Sequence, residues 1–291
     1  MTILMQTVRR YPLVAFFTLA FGLTWANWLP QALAARGLLS ITVPSFLAIL
    51  AGYGPAIAAI VVTALTTGKP GLRRLVGRLT RWQVGPHWYA IALLTPLAIS
   101  LTAIGLHLLT GGTTITITQS SLQLAPAGAP AWQHILLLFL LFTLGFDGLG
   151  EELGWRGYAL PKLEARWSAL VASLILGVLW AAWHLPYALT PGSVMASTPL
   201  HWFFLGVLAS SILYTWIFNN TQGSVLITIL FHAAGNTTAN VLAINNFRVY
   251  LFSIGVMWCL AILVVLLTGR SCFSRIGQPH SGLAVEPVRG A

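Results

Sequence analysis

Four of the five acidic residues of this 291-residue chain fall within eighteen positions of one another. Three of them, Asp147, Glu151 and Glu152, lie in Phe146-Asp147-Gly148-Leu149-Gly150-Glu151-Glu152-Leu153-Gly154-Trp155-Arg156, at the end of an apolar run. An ionisable group at mid-bilayer costs about 3 kcal/mol on insertion scales and marks a site by default. On a helix Glu152 and Arg156 are four apart and share a face, so they can pair. Glu151 lies about 100° around that helix and stays free. Adjacent carboxylates in a low dielectric resist joint ionisation, and a nearby Arg favours one of them. The result is one structural and one reactive carboxylate. The plain alternative is a pair of helix-end charges that snorkel to the interface, with Arg156 beside them.

Of seven histidines, His87, His107, His134, His201 and His280 sit near span ends or in the tail, as interfacial or surface residues. His184, in Trp180-Ala181-Ala182-Trp183-His184-Leu185-Pro186, and His232, in Leu230-Phe231-His232-Ala233-Ala234-Gly235-Asn236, fall inside apolar segments. His232 and Asn236 are four apart and share a helical face. A lone membrane His is often an interhelical hydrogen-bond partner. Polar groups from three separate helices, however, need one another or a water cavity in lipid.

Hydrolysis of a peptide bond needs an activated water, a proton shuttle and a donor to the oxyanion. A carboxylate with a His can polarise water, and Asn and His can donate to the oxyanion. Alternatively, Glu and His can hold a zinc ion whose bound water is acidified. The chain has no HExxH and no GxSG motif, and with one aspartate it has no two-aspartate site.

The elements that must position these groups are transmembrane helices. The chain is 57% hydrophobic and 7% charged, with mean hydropathy +0.83, against roughly a quarter charged in soluble domains. A soluble protein this apolar would aggregate, whereas a span needs about 20 apolar residues. Eight spans are expected, near 12–34, 41–67, 87–110, 132–152, 168–188, 200–218, 223–244 and 248–268, forming an all-α polytopic bundle. With the N-terminus in the cytoplasm, thirteen of fifteen basic residues lie inside and only Arg36 and Arg248 outside. Cytoplasmic loops retain Lys and Arg, so this split supports eight spans with both ends cytoplasmic.

The net charge of +10 therefore reflects orientation, not nucleic acid. The basic stretch Lys69–Trp82 reads as an amphipathic cytoplasmic segment contacting lipid headgroups. The first apolar segment is too long for a signal-peptide core and reads as the first span. Cys259 and Cys272 form no disulfide or metal pattern. Residues 1–270 form one membrane domain with the motif core at 132–244, and 271–291 read as a disordered cytoplasmic tail.

Glu151-Glu152-x-x-x-Arg156, Trp180-x-x-x-His184 and His232-x-x-x-Asn236 together resemble the three motifs of the CPBP family, the CAAX protease and bacteriocin-processing (ABI) proteins, which include the type II CAAX prenyl endopeptidases. Each motif alone is weak, but three in order on separate helices are specific. The second motif departs from the family pattern in beginning with Trp rather than Phe. The resemblance implies that Glu151 activates water, that His184 assists or coordinates, and that His232 and Asn236 stabilise the oxyanion. Glu152 and Arg156 would support the site. Glu151, His184 and His232 could also form a three-ligand Zn2+ site with an open fourth position.

The implied protein is an intramembrane endopeptidase of a bacterial plasma membrane, metallo- or glutamate-dependent. Its partners would be membrane lipids and a peptide or lipidated-protein C-terminus. The alternatives are a non-proteolytic scaffold or a bacteriocin self-immunity protein, and last a proton relay. One tension accompanies this reading. At 1.5 Å per residue, Glu152 stands about 18 Å and His184 about 30 Å from a turn at Glu164, while His232 stands about 13 Å into its helix. Tilt or shifted helix starts must level them.

Overall fold

The computed structural model describes residues 3–41, 44–113, 128–145, 147–193, 195–242, 246–271 and 273. Among these there is no strand. The helices are α1 (Ile3–Arg10), α2 (Pro12–Ala35), α3 (Ser45–Gly52), α4 (Gly54–Leu79), α5 (Pro86–Leu109), α6 (Ala131–Leu140), α7 (Gly148–Gly154), α8 (Leu160–Glu164), α9 (Ala169–Trp183), α10 (Leu185–Ala188), α11 (Leu200–Asn220), α12 (Val225–Leu242) and α13 (Phe247–Thr268). Among the described residues seven helical stretches are long and apolar enough to cross a membrane, counting Ala131–Glu164 as one, and the apolar α9 is an eighth but shorter element. The chain is an integral membrane helical bundle, as its composition requires.

Several spans differ in detail from the expected ones. The second is two helices, α3 and α4, parted at Tyr53. Helix α4 runs on through the basic stretch to Leu79, bending at Gly68, whose φ of 60° suits glycine alone. Its last part is amphipathic as expected, with Gly71 and Leu75 buried and Arg73 and Arg74 exposed. The fourth span extends to Glu164 and carries π-helical turns at Leu141–Gly145 and Trp155–Ala159. The fifth ends early, because Pro186 lacks the N–H that would continue the ladder. His184 is thus the C-terminal cap of α9 rather than an interior residue.

Helix α9 rises only about 22 Å and ends short of a full crossing. Carbonyls freed at such an end need donors in lipid. The His184 Nδ1–H donates to Trp180 O at 2.9 Å, and Trp25 Nε1 donates to Trp183 O at 2.9 Å. The two arginines expected outside do similar work. Arg36 donates from Nε and Nη2 to Leu189 O at 3.1 and 2.7 Å, and Arg248 Nη2 donates to Thr110 O at 3.0 Å. Each places a cation at a helix C-terminus, where the backbone dipole favours it.

Packing pairs close into a circuit: α2 on α4, α4 on α7, α7 on α12, α12 on α5, α5 on α13, α13 on α11, α11 on α9 and α9 back on α2. The turn 155–159 touches α4, α9, α11 and α12 and so lies at the centre. Between α7 and its neighbours the approach is close. A Cβ on Gly150 would lie 2.7 Å from Gly52 O, and one on Gly154 2.5 Å from Pro55 Cβ. Small residues let helices approach this closely in membranes. Ser271 O accepts from Ala169 N at 2.8 Å, and the Phe273 side chain is fully buried. The start of the expected tail therefore packs on the bundle, while 274–291 lie outside the described residues.

Candidate active site

Helix α7 with the turn 155–159 that follows it, the end of α9, and α12 bring Glu151, Glu152, Arg156, His184 and His232 together. All five are buried, none more than 8% exposed. The expected difference in depth disappears once true helix starts are used. His184 lies fifteen residues above Ala169 and Glu151 thirteen above Glu164, about 22 and 20 Å. A Cβ on Gly157 would lie 3.3 Å from Val225 Cγ2. The start of α12 is thus level with Gly157 rather than with Glu164, and His232 rises to meet Glu152.

Glu152 forms the expected pair with Arg156, Oε1 to Nη1 at 2.8 Å. The same oxygen accepts from His232 Nδ1 at 2.9 Å. With Glu152 ionised the Nδ1 carries the hydrogen, since a carboxylate only accepts. The Arg156 guanidinium lies between two rings, 4.1 Å from the centre of Tyr214 and 4.4 Å from that of Trp180. Such stacking holds a desolvated cation electrostatically.

Glu151 is not free, as its helical position alone suggested. Its Oε2 accepts from Trp155 Nε1 at 3.1 Å and from Trp180 Nε1 in a short contact. Its Oε1 faces His184 Nε2 at 3.8 Å. The His184 Nδ1 is bonded to a carbonyl, so it carries the hydrogen and the neutral ring turns a lone pair toward Glu151. Two acceptors facing each other at this distance suit a shared water that donates one O–H to each. The His184 ring is held by Trp183, Trp28 and Phe203, with centroids 4.7, 6.1 and 5.7 Å away.

Asn236, one turn beyond His232, is also at the site. Its Nδ2 donates to Asp147 Oδ2 at 2.6 Å. Reading the residues alone left Asp147 without a role, although it lies four residues before Glu151, the same-face spacing that linked Glu152 with Arg156. Trp155 and Trp180 were likewise missed as polar partners, because tryptophans in a membrane protein read first as packing or interfacial residues.

The expected zinc ligands Glu151, His184 and His232 share the site, with His232 Nδ1 bonded to Glu152 and Glu151 Oε2 engaged by two indoles. Among the described residues no three His, Cys, Asp or Glu side chains are gathered closely enough to hold a metal ion. No step below runs through one.

The molecule is therefore a helical membrane protein whose buried carboxylates and histidines meet at the centre of the bundle, with the half-buried Asn236 beside them. Residues 132–238 match the family model described as type II CAAX prenyl endopeptidase Rce1-like. The chain is also similar to CAAX prenyl protease 2 of Methanococcus maripaludis, 31% identical over 144 residues, which cover 47% of this chain and 53% of that protein. The chain thus spans about half the length of the curated relative it matches. The resemblance carried by the three motifs is borne out, and every motif residue lies inside the matched segment.

Proposed function

We propose that this chain is an intramembrane endopeptidase that hydrolyses a peptide bond of a membrane-associated substrate, such as a lipidated protein C-terminus. The observation that carries the reading is the pairing of Glu151 Oε1 with His184 Nε2 at 3.8 Å, with the remaining polar atoms of both side chains already engaged. The similarity to a protein named CAAX prenyl protease 2 supports the reaction class and the lipidated substrate. The charge split supports a plasma-membrane orientation with both ends of the chain in the cytoplasm.

In this mechanism a water donates to Glu151 and His184, and its oxygen attacks the scissile carbonyl carbon while one proton passes to Glu151 Oε1. The carbonyl π pair moves onto oxygen. Asn236 meets that oxyanion with the Nδ2 hydrogen that Asp147 does not use, and His232 meets it with Nε2–H when both ring nitrogens carry a hydrogen. Collapse re-forms the carbonyl and breaks the C–N bond, and Glu151 returns the proton to the leaving nitrogen. The products are a new carboxyl terminus and a new amine. Glu152 and Arg156 hold His232 without touching substrate.

The test uses protein purified in detergent with farnesylated, palmitoylated and unmodified C-terminal peptides, products read by mass spectrometry, with and without a zinc chelator. The expected result is cleavage of one internal bond of a lipidated peptide, insensitive to chelator. No product from any peptide, with the protein folded, would overturn the proteolytic reading in favour of a scaffold or immunity protein. Activity lost to chelator and restored by zinc would overturn the metal-free chemistry alone.

A further inference from the structure

A carboxylate has two equivalent oxygens, and its terminal torsion is broad and roughly two-fold. At Glu151 that equivalence is broken. Both indole donors, Trp155 Nε1 and Trp180 Nε1, reach Oε2, and Oε1 alone faces His184. Both indoles are themselves fixed. Trp180 packs edge-on to Tyr214 with centroids 5.4 Å apart, and lies under the Arg156 guanidinium at 4.4 Å. Trp155 is fully buried against Phe16, Phe17 and Trp183, at 5.7, 6.2 and 5.7 Å.

We propose that Trp155 and Trp180 are positioning residues, a two-indole clamp that fixes Glu151 Oε2 and assigns Oε1 as the oxygen that takes the proton from water. The assignment of Oε1 rests on the proteolytic reading above, whereas the clamp itself does not. Indole N–H is a donor only, so neither tryptophan can compete for that proton or bind as a ligand. Trp180 does more than Trp155, because its carbonyl also receives the His184 Nδ1–H. One residue therefore orients both sides of the water site: its side chain sets the carboxylate and its backbone sets the imidazole tautomer. Phenylalanine at position 180 keeps a ring against Arg156 and Tyr214 but loses the donor.

The test has an arm that needs no activity. In protein labelled with 15N at the indole nitrogens, the twelve tryptophans give separate N–H resonances, and Trp155→Phe and Trp180→Phe identify two of them. Glu151→Ala is expected to move those two toward the position of unbonded indoles and leave the rest in place. No movement of either overturns the clamp. In the cleavage assay Trp180→Phe is expected to lower kcat about tenfold with KM within twofold and an unchanged melting temperature. That is a fraction of the hundredfold that a 1 Å misplacement can cost. Unchanged kcat in a folded Trp180→Phe protein overturns the positioning role. Shifted resonances in a wild type that cleaves nothing leave the clamp standing and remove the assignment of Oε1 together with the proteolytic reading.

Discussion

The side-chain amide of Asn236 donates to Asp147 Oδ2 at 2.6 Å, which ties α12 to the start of α7. An Asn alone on a helix face can turn its amide through a wide arc, and a charged acceptor fixes it. The bond commits one Nδ2 hydrogen and points the other away from Asp147. On the proposed mechanism Asn236→Ala lowers kcat about 100-fold, as loss of one oxyanion donor does. Asp147→Ala is expected to lower it about tenfold, since Asn236 remains but is no longer aimed. Because Asp147 acts through Asn236, the double variant is expected to be no slower than Asn236→Ala. Losses that multiply would show that the two residues act independently.

Arg156 carries a prediction about stability. It is fully buried and bonded to Glu152. Removing one member of a buried pair leaves the other charge uncompensated, at a cost of about 3–5 kcal/mol, while replacing both is often neutral. Arg156→Met is expected to lower the melting temperature in detergent sharply, and Glu152→Gln combined with Arg156→Met to recover part of the loss. Equal melting of the two variants would mean that the pair is solvated.

The contact of α7 with Pro55 makes a glycine-specific prediction. Gly154→Ala places a methyl 2.5 Å from Pro55 Cβ and 2.6 Å from its backbone, where there is no flexible side chain to move aside. Overpacking of this kind costs about 1–3 kcal/mol. Gly235→Ala, between His232 and Asn236, meets nothing within 4 Å and is expected to melt like the wild type. A harmless Gly154→Ala would mean that α7 and α4 are further apart than described.

Orientation is testable without any substrate. Single cysteines placed in 69–82 are expected to react with an impermeant thiol reagent only after the cells are opened, and those in 190–198 in intact cells. The reverse pattern would invert the bundle.

Much of this was legible in the residues themselves. The eight apolar runs and the position of the basic residues follow from bilayer thickness and the charge rule, and Glu152–Arg156 follows from a four-residue spacing. The end of α9 at His184 and the level of Val225 against Gly157 were not legible. They depend on where one helix meets another, and no pattern within a single helix encodes that. The partners of Glu151 escaped for a related reason. Trp155 lies one turn away on the same helix, but Trp180 arrives from α9, and a tryptophan in an apolar run looks the same whether or not its N–H has a task. Asn236 was picked out by its distance from His232, yet its acceptor lies eighty-nine residues earlier in the chain.

The central claim is that Glu151 takes the proton from water, and Glu151→Gln tests it most directly. Glutamine keeps the shape and a carbonyl oxygen to accept from the indoles, but it cannot act as a base. The measurement is the single-turnover cleavage rate of a lipidated peptide by wild type and Glu151→Gln, with melting temperatures taken in the same detergent. The account predicts a rate at least about 100-fold lower with the fold intact. Cleavage by the folded variant at the wild-type rate would contradict it.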